Sequence, residues 1–146
     1  MNLKDNKGFV GVDASLAVVI FLILVPTIFG IVYSINSNKN ESNIKSVALN
    51  IAVNSIECAK TIDLEKSDAE NAEAILNDLK TNIYNDKITI NSDKKSAVIT
   101  NDIASYKLEI QVTDYKGDNI VKTVKAIVTY KFKGQEKTID LSSVIK

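Results

Sequence analysis

The sequence contains no histidine and no arginine, and these two absences narrow the chemistry open to the chain. Histidine is the commonest general base and a frequent metal ligand, so its absence argues against acid–base catalysis and against a metal centre. Arginine would supply a bidentate fork for phosphate, and the balance of 18 lysines against 18 acids leaves no net charge to attract nucleic acid. We therefore expect no enzyme, no cofactor, no metal site and no nucleic-acid partner.

Cysteine occurs once, at Cys58. A single cysteine excludes an intrachain disulfide and a cysteine metal cluster. Because Cys58 falls on a mostly apolar helical face, we interpret it as a small packed hydrophobe rather than as a reactive thiol.

Charge is missing from one long stretch near the N-terminus. After Asp13 the next charged residue is Lys39, so 25 consecutive residues carry no charge. A helix rises about 1.5 Å per residue, and residues 14–33 would therefore span about 30 Å, the hydrocarbon thickness of a bilayer. The sequence predicts a transmembrane helix over residues 9–35.

Three residues of this segment depart from a plain apolar helix. Asp13 places a carboxylate in the membrane, which costs about 2.5–3.5 kcal/mol at the centre of the bilayer and less near its edge. Pro26, the only proline, removes a backbone hydrogen bond, and Gly30 follows one turn later. Pro26 and Gly30 together predict a kink or a locally melted turn.

From Glu41 onward the pattern changes from uniformly apolar to amphipathic. Apolar residues recur with the 3.6-residue period of a helix, at Ile44, Val47, Ala48, Ile51, Ala52, Ile56, Ala59 and Ile62. The polar residues 34–43 could loosen one turn, but the pattern favours a single helix of about 50 residues.

A second helix and a set of strands follow. Ser67 and Glu70 form a capping-box pattern that opens a helix to about Tyr84, with an apolar face of Ala69, Ala72, Ile75, Leu76, Leu79 and Ile83. Alternation with a period of two then predicts strands at 87–90, 97–100, 106–112, 121–132 and 137–141. We predict turns at 91–94, 114–119 and 133–135.

These elements predict an α+β fold. A long N-terminal helix, half transmembrane and half amphipathic, packs on a small C-terminal antiparallel sheet, with the second helix between them in sequence. The domain boundaries follow as a leader at 1–8, a transmembrane helix at 9–35 and an extracytoplasmic globular domain at 36–146.

The N-terminus resembles that of the type IV pilins and of the pseudopilins of type II secretion and competence systems. The matching features are a short leader with Lys4 and Lys7, a glycine at Gly8, an aromatic residue at Phe9 and an acid at Asp13, before the apolar helix. The predicted architecture agrees with that family, although the motif itself covers only about 25 residues.

The resemblance implies a processed, filament-forming subunit. A prepilin peptidase would cleave after Gly8 and N-methylate Phe9, and Asp13 would pair with the N-terminal amine of a neighbouring subunit. Other pilin subunits, a platform protein, an assembly ATPase and membrane lipid are the implied partners. The chain would span the cell membrane once, with its N-terminus in the cytoplasm, and would lie in a surface filament after assembly.

Several residues differ from the usual family pattern. The acid is Asp13 where glutamate is common, Gly11 weakens the helix start, and Pro26 precedes the usual proline position, which Gly30 occupies. These differences favour a minor pilin or a pseudopilin-like subunit over the main filament former.

Two alternatives use the same residues. An uncleaved signal anchor could hold a monomeric extracytoplasmic binding domain, since Lys4 and Lys7 orient the helix in the same way. An ordinary secretory signal cleaved after residues 32–34 is the other alternative, although the apolar run is longer than such signals require.

Overall fold

The computed structural model describes the backbone of residues 6–116 and 118–146 and the side chains of residues 14–116 and 120–146. Helix α1 (Asn6–Thr61) and helix α2 (Asp68–Leu79) precede five strands. The strands are β1 (Ile88–Ile90), β2 (Ser96–Thr100), β3 (Ser105–Tyr115), β4 (Asp118–Phe132) and β5 (Gln135–Ile145). They form one antiparallel sheet in the order β1-β2-β3-β4-β5, which confirms the predicted α+β fold and its meander.

The chain divides into two compact units, Met1–Asn40 and Glu41–Lys146. The described part of the first unit consists of helix α1 alone. The second unit contains the rest of α1, helix α2, the sheet and the hydrophobic core. Because α1 is helical throughout residues 34–43, the loosened turn is absent and the single long helix is confirmed.

The amphipathic half of α1 supplies one side of the core. Its predicted stripe is buried, with Val47 and Ile62 only half-buried at its margins. Ala48, Ala52 and Ala59 have no exposed surface, and their small side chains allow the helix to pack closely. The 3.6-residue period therefore identified the correct face.

The inner face of the sheet supplies the other side. Alternate residues of the two central strands are buried, and they are Tyr106, Leu108, Ile110 and Val112 in β3 and Val124, Ala126, Val128 and Tyr130 in β4. Cross-strand registry places each residue of the first set opposite one of the second, as in the pair Leu108 and Val128. The opposite face is polar, as expected for an antiparallel sheet with one side in water.

Helix α2 begins with the predicted capping box. Ser67 accepts a hydrogen bond from Glu70 N at 3.5 Å, and Ser67 N donates to the Glu70 carboxylate at 3.2 Å. The pKa of Glu70 is lowered, chiefly because the Ser67 hydroxyl donates to the ionised carboxylate. These bonds satisfy backbone donors that the first helical turn leaves free.

The helical segment ends at Tyr84, as predicted, but its last turn is not α-helical. The α-helix stops at Leu79 and continues as a π-helical turn, Lys80–Tyr84, before a 3₁₀ turn, Asn85–Lys87. A π turn contains more residues than an α turn, so the residue that follows Leu79 on the inner face is Tyr84 rather than Ile83. Ile83 is accordingly 41% exposed, whereas Tyr84 is half-buried and its hydroxyl accepts a hydrogen bond from Asn54 Nδ2 at 3.1 Å. Ala69, near the start of α2, is also exposed, contrary to prediction.

Two buried polar residues were missed by the sequence reasoning. Asn71 is fully buried in α2, where its amide donates to the carbonyls of Leu64 and Lys66 at 3.1 and 2.8 Å and so fixes the loop before the helix. Lys122 lies on the inner face of β4 and is buried. The Asn71 amide nitrogen and the Lys122 ammonium find partners, which offsets the cost of burying them, whereas Asn71 Oδ1 is buried without a partner among the described residues.

Lys122 closes one end of the core. Its ammonium pairs with the Asp114 carboxylate on the adjacent strand and lies 3.7 Å from an Asp68 oxygen at the start of α2. The bond to Asp114 raises the pKa of Lys122. The inner face of the sheet therefore changes here from apolar packing to ion pairing.

Strand boundaries differ from the predicted ones by a few residues. β5 is longer than the predicted 137–141, and the connection between β3 and β4 is only residues 116–117. Both differences arise because ladder pairing continues through polar residues, which alternation of apolar residues does not detect.

The π turn leads to a prediction that reverses the sequence expectation for two adjacent residues. We expect Tyr84→Ala to lower the free energy of unfolding by about 2 kcal/mol, because it empties a half-buried site. Ile83→Ala should change it by less than about 0.5 kcal/mol, as is usual for exposed side chains. Urea unfolding of the full chain in detergent micelles measures both, and a larger effect at Ile83 would contradict the π turn.

Candidate functional site

Over residues 14–33, helix α1 in the first unit is apolar on every side. The large apolar side chains of this stretch are exposed, with Phe29 at 70% and Tyr33 at 74%, except Val25, which is half-buried. None of its most apolar 18-residue window is buried. The described helix from Ala14 onward is long and apolar enough to cross a membrane and is compatible with a membrane anchor. Such a surface must be removed from water by lipid or by other protein chains.

Pro26 and Gly30 lie within this apolar helix. The helix is continuous through both residues, so the described chain is not melted there, and the kink stays a prediction. The Thr27 hydroxyl donates to the Ile23 carbonyl at 2.7 Å, which satisfies its polar group within the helix, as lipid requires. A Cβ atom added at Gly30 would meet no other atom within 4 Å, so no contact inside the described chain requires glycine there.

The predicted processing residues fall at the start of α1. Gly8, Phe9 and Asp13 lie outside the residues whose side chains are described, although the helix begins before them at Asn6. The cleavage site, the methylated amine and the assembly carboxylate therefore stay predictions.

The amphipathic half of α1 has a second, smaller apolar surface that the sequence reasoning missed. Leu49 and Val53 are 46% and 39% exposed, and they lie one turn apart outside the buried stripe. The signal was present in the sequence, because two apolar residues four positions apart on the polar side of a helix are unexpected. The two side chains form a small apolar surface that the described chain covers only in part.

An ion pair joins α1 to the last strand within the second unit. The Lys137 ammonium donates to the Glu41 carboxylate, and it also lies 5.5 Å from the centre of the Phe132 ring. Through this hydrogen bond the pKa of Glu41 is lowered and that of Lys137 is raised. The pair therefore stabilises the fold at neutral pH, and its contribution falls as acid protonates Glu41 or as alkali deprotonates Lys137.

Cys58 is packed in the core, as predicted. Its side chain is 7% exposed, and burial, aided by the neighbouring Asp78, raises the pKa of the thiol to about 12. A thiol with so high a pKa is almost entirely protonated at neutral pH and is a poor nucleophile. The interpretation as a packed hydrophobe is confirmed.

The second unit also contains a cavity of about 410 Å³ beyond the end of α1. Its lining is part apolar and part acidic, and it includes Ile62, Asp63, Glu65 and Ile145. Among the residues that the structure describes, no three histidine, cysteine, aspartate or glutamate side chains converge as metal ligands would. The geometry gives this cavity no chemical role.

No family model, curated protein or solved structure matches the chain. Its function must therefore be argued from its own residues. The most unusual of these is the exposed apolar helix, which is continuous with a helix half buried against a sheet.

The environment of Cys58 leads to a prediction about thiol reactivity. With a pKa of about 12, Cys58 should react with a maleimide or disulfide reagent at pH 8 roughly a thousandfold more slowly in the folded chain than in the unfolded chain. Ser92→Cys, in a chain that also carries Cys58→Ser, places a thiol on an exposed turn and provides the matched control. Rapid labelling of folded Cys58 would contradict the packed assignment.

Proposed function

We propose that the chain is a structural subunit of a type IV pilus-like or pseudopilus filament. In this proposal the prepilin peptidase cleaves after Gly8, and subunits assemble through the apolar half of α1. The observation that carries the proposal is one continuous helix whose first part is apolar on every side and whose second part is buried by the chain's own sheet.

The apolar half of the helix needs two successive environments. Before assembly, lipid can surround it, because residues 14–33 match the hydrocarbon thickness of a bilayer. After extraction from the membrane, only a bundle of similar helices could keep the same surface away from water. In the second unit, the exposed Leu49 and Val53 would be partly covered by neighbouring helices in such a filament.

Asp13 has a role in this scheme that an inert anchor does not require. Cleavage after Gly8 creates a new ammonium group at Phe9, one helical turn before the Asp13 carboxylate. An unpaired charge in an apolar bundle is strongly disfavoured, so pairing of Asp13 with the amine of a neighbouring subunit would select the position at which that subunit docks. A platform protein and an ATPase would extract the subunits from lipid. The resulting filament would lie at the cell surface.

A signal-anchored binding domain is the alternative, since the same helix would hold the sheet at the membrane without cleavage. Processing at Gly8 distinguishes the two. In a host with an active prepilin peptidase, we expect the mature chain to begin at Phe9 with one added methyl group, because the peptidase recognises the leader. Intact mass with N-terminal sequencing measures this. Gly8→Leu should block cleavage, and a wild-type chain that retains Met1 would contradict the proposal.

Replacing Asp13 tests assembly separately from processing. We expect Asp13→Ala to insert and to be cleaved normally, but to enter filaments at least tenfold less than wild type, because the amine of the neighbouring subunit loses its partner. Quantitative blotting of sheared filaments and of membranes measures the distribution. Asp5→Asn removes a carboxylate from the leader and is the matched control. Normal incorporation of Asp13→Ala would remove the proposed role of the carboxylate.

A further inference from the structure

The two edges of the sheet are very different. Within the described chain, β1 forms one edge with 3 residues, and β5 forms the other with 11. β5 pairs with β4 without a register shift and contains neither proline nor glycine. Natural proteins usually protect an edge strand by shortness, charged side chains, proline, a bulge or an inward-pointing charge. β1 is protected by its shortness. β5 has three charged residues, and each is paired within the chain: Glu136 with Lys131, Lys137 with Glu41 and Asp140 with Lys125.

In an antiparallel sheet, the backbone groups of successive residues point alternately to the two neighbouring strands. This alternation identifies the N–H and C=O groups of β5 that point away from β4 and have no strand partner in the described chain. Ile110 N donates to the Lys95 carbonyl, so the backbone polar groups of Ile110 point away from β4. Its partner Ala126 then points toward β5, and the partner of Ala126, Leu141, points back toward β4. The open N–H and C=O groups of β5 therefore belong to its even-numbered residues, which are Glu136, Thr138, Asp140, Ser142 and Val144.

We propose that β5 docks on the β5 strand of a second copy of this chain, antiparallel and with Leu141 opposite Leu141. Across this twofold axis Glu136, whose carboxylate lies 3.7 Å from the Lys131 ammonium of its own chain, faces Lys146, the residue that follows the strand. Symmetry produces that opposite-charge pair twice. Placing the axis at Asp140 instead would set two like charges opposite each other, which is destabilising. The sequence of the strand is therefore complementary to itself in this register.

The inner face supports the same register. Leu141 and Ile139 point toward the core but are only half-buried, because no strand covers the far side of β5 in the described chain. Directly opposite residues of a non-hydrogen-bonded antiparallel pair have Cα atoms about 4.5 Å apart, so the two Leu141 side chains would touch. The contact extends the inner apolar face of the sheet across the axis.

The geometry also determines which copies can meet. Within the second unit, α1 starts at Glu41 beside Lys137 and leads to Ile62, which lines a cavity together with Ile145. This half of α1 and β5 therefore run in the same direction, and the twofold axis reverses both. The contact would join copies whose second units point in opposite directions. Neighbours within a filament of one polarity could not form it.

The contact is weak by nature. Exposed ion pairs contribute little individually, and one strand pair is smaller than the interface of a stable dimer. Many copies arrayed on a surface would raise the effective concentration and so the strength of association.

A charge exchange tests the register. The full chain is placed in lipid nanodiscs at one chain per disc, so that association between discs cannot come from the membrane helices. We expect wild-type discs to associate and Glu136→Lys to raise the dissociation constant about tenfold, because Lys then faces Lys146. The double variant Glu136→Lys, Lys146→Glu should return within about twofold of wild type. Analytical ultracentrifugation of the discs over a range of concentrations measures the dissociation constant of each variant. Glu109→Lys, which makes the same change of charge on β3 away from the edge, should have no effect.

Cross-linking provides an independent readout. In a chain carrying Cys58→Ser, Leu141→Cys should form an interchain disulfide on mild oxidation. Ser142→Cys should not form one, because residue 142 lies opposite residue 140 of the second copy. The two introduced cysteines are then offset by two residues along the strands, which is too far for a disulfide. A double variant that does not recover, or a Leu141→Cys chain that forms no more interchain disulfide than the Ser142→Cys chain, would overturn the proposal. Asp13→Asn should associate like wild type, so loss of filament assembly and loss of the edge contact can be told apart.

Discussion

The structure depends on one constraint, which is that a single helix must satisfy two different surroundings along its length. Over residues 14–33 the side chains of α1 are apolar on every side, and the described part of the chain provides no core for them. In the second unit the same helix is apolar on one stripe, and the sheet covers that stripe. The change occurs over the polar residues near Asn40, without a break in the helix. Because backbone hydrogen bonds in a helix are internal to the segment, an α-helix can pass from lipid into protein without losing any.

Much of the globular unit follows from periodicity. The buried stripe of α1, the capping box at Ser67 and the five-strand meander were predictable, because each depends on local spacing of apolar or capping residues. The packing of Cys58 was predictable for the same reason, since its position follows the helical period of the buried stripe. Where apolar residues recur with a regular period, the period identifies the face of the helix or strand that packs in the core, and the residues on that face are buried.

Other features depend on long-range contacts that a linear pattern does not contain. Tyr84 replaces Ile83 on the inner face because a π turn changes the helical phase, and the bond from Asn54, thirty positions earlier, helps to hold it there. Lys122 is buried because Asp114 and Asp68 meet it in space, which only the folded sheet brings about. At the candidate site the sequence identifies Gly8, Phe9 and Asp13 by resemblance, but the partners of these residues would belong to other chains. The structure of a single chain therefore does not test these residues.

The three-residue β1 strand limits how far sheet pairing between copies can extend. A five-stranded meander has an odd number of strands, so its two edge strands run in the same direction, and copies of like orientation could in principle add edge to edge without end. An edge of three residues offers too few backbone groups to sustain such a ribbon. Any pairing through β5 alone uses up the long edge of both partners and closes at two copies. Pairing through the long edge of the described sheet is therefore limited to two copies.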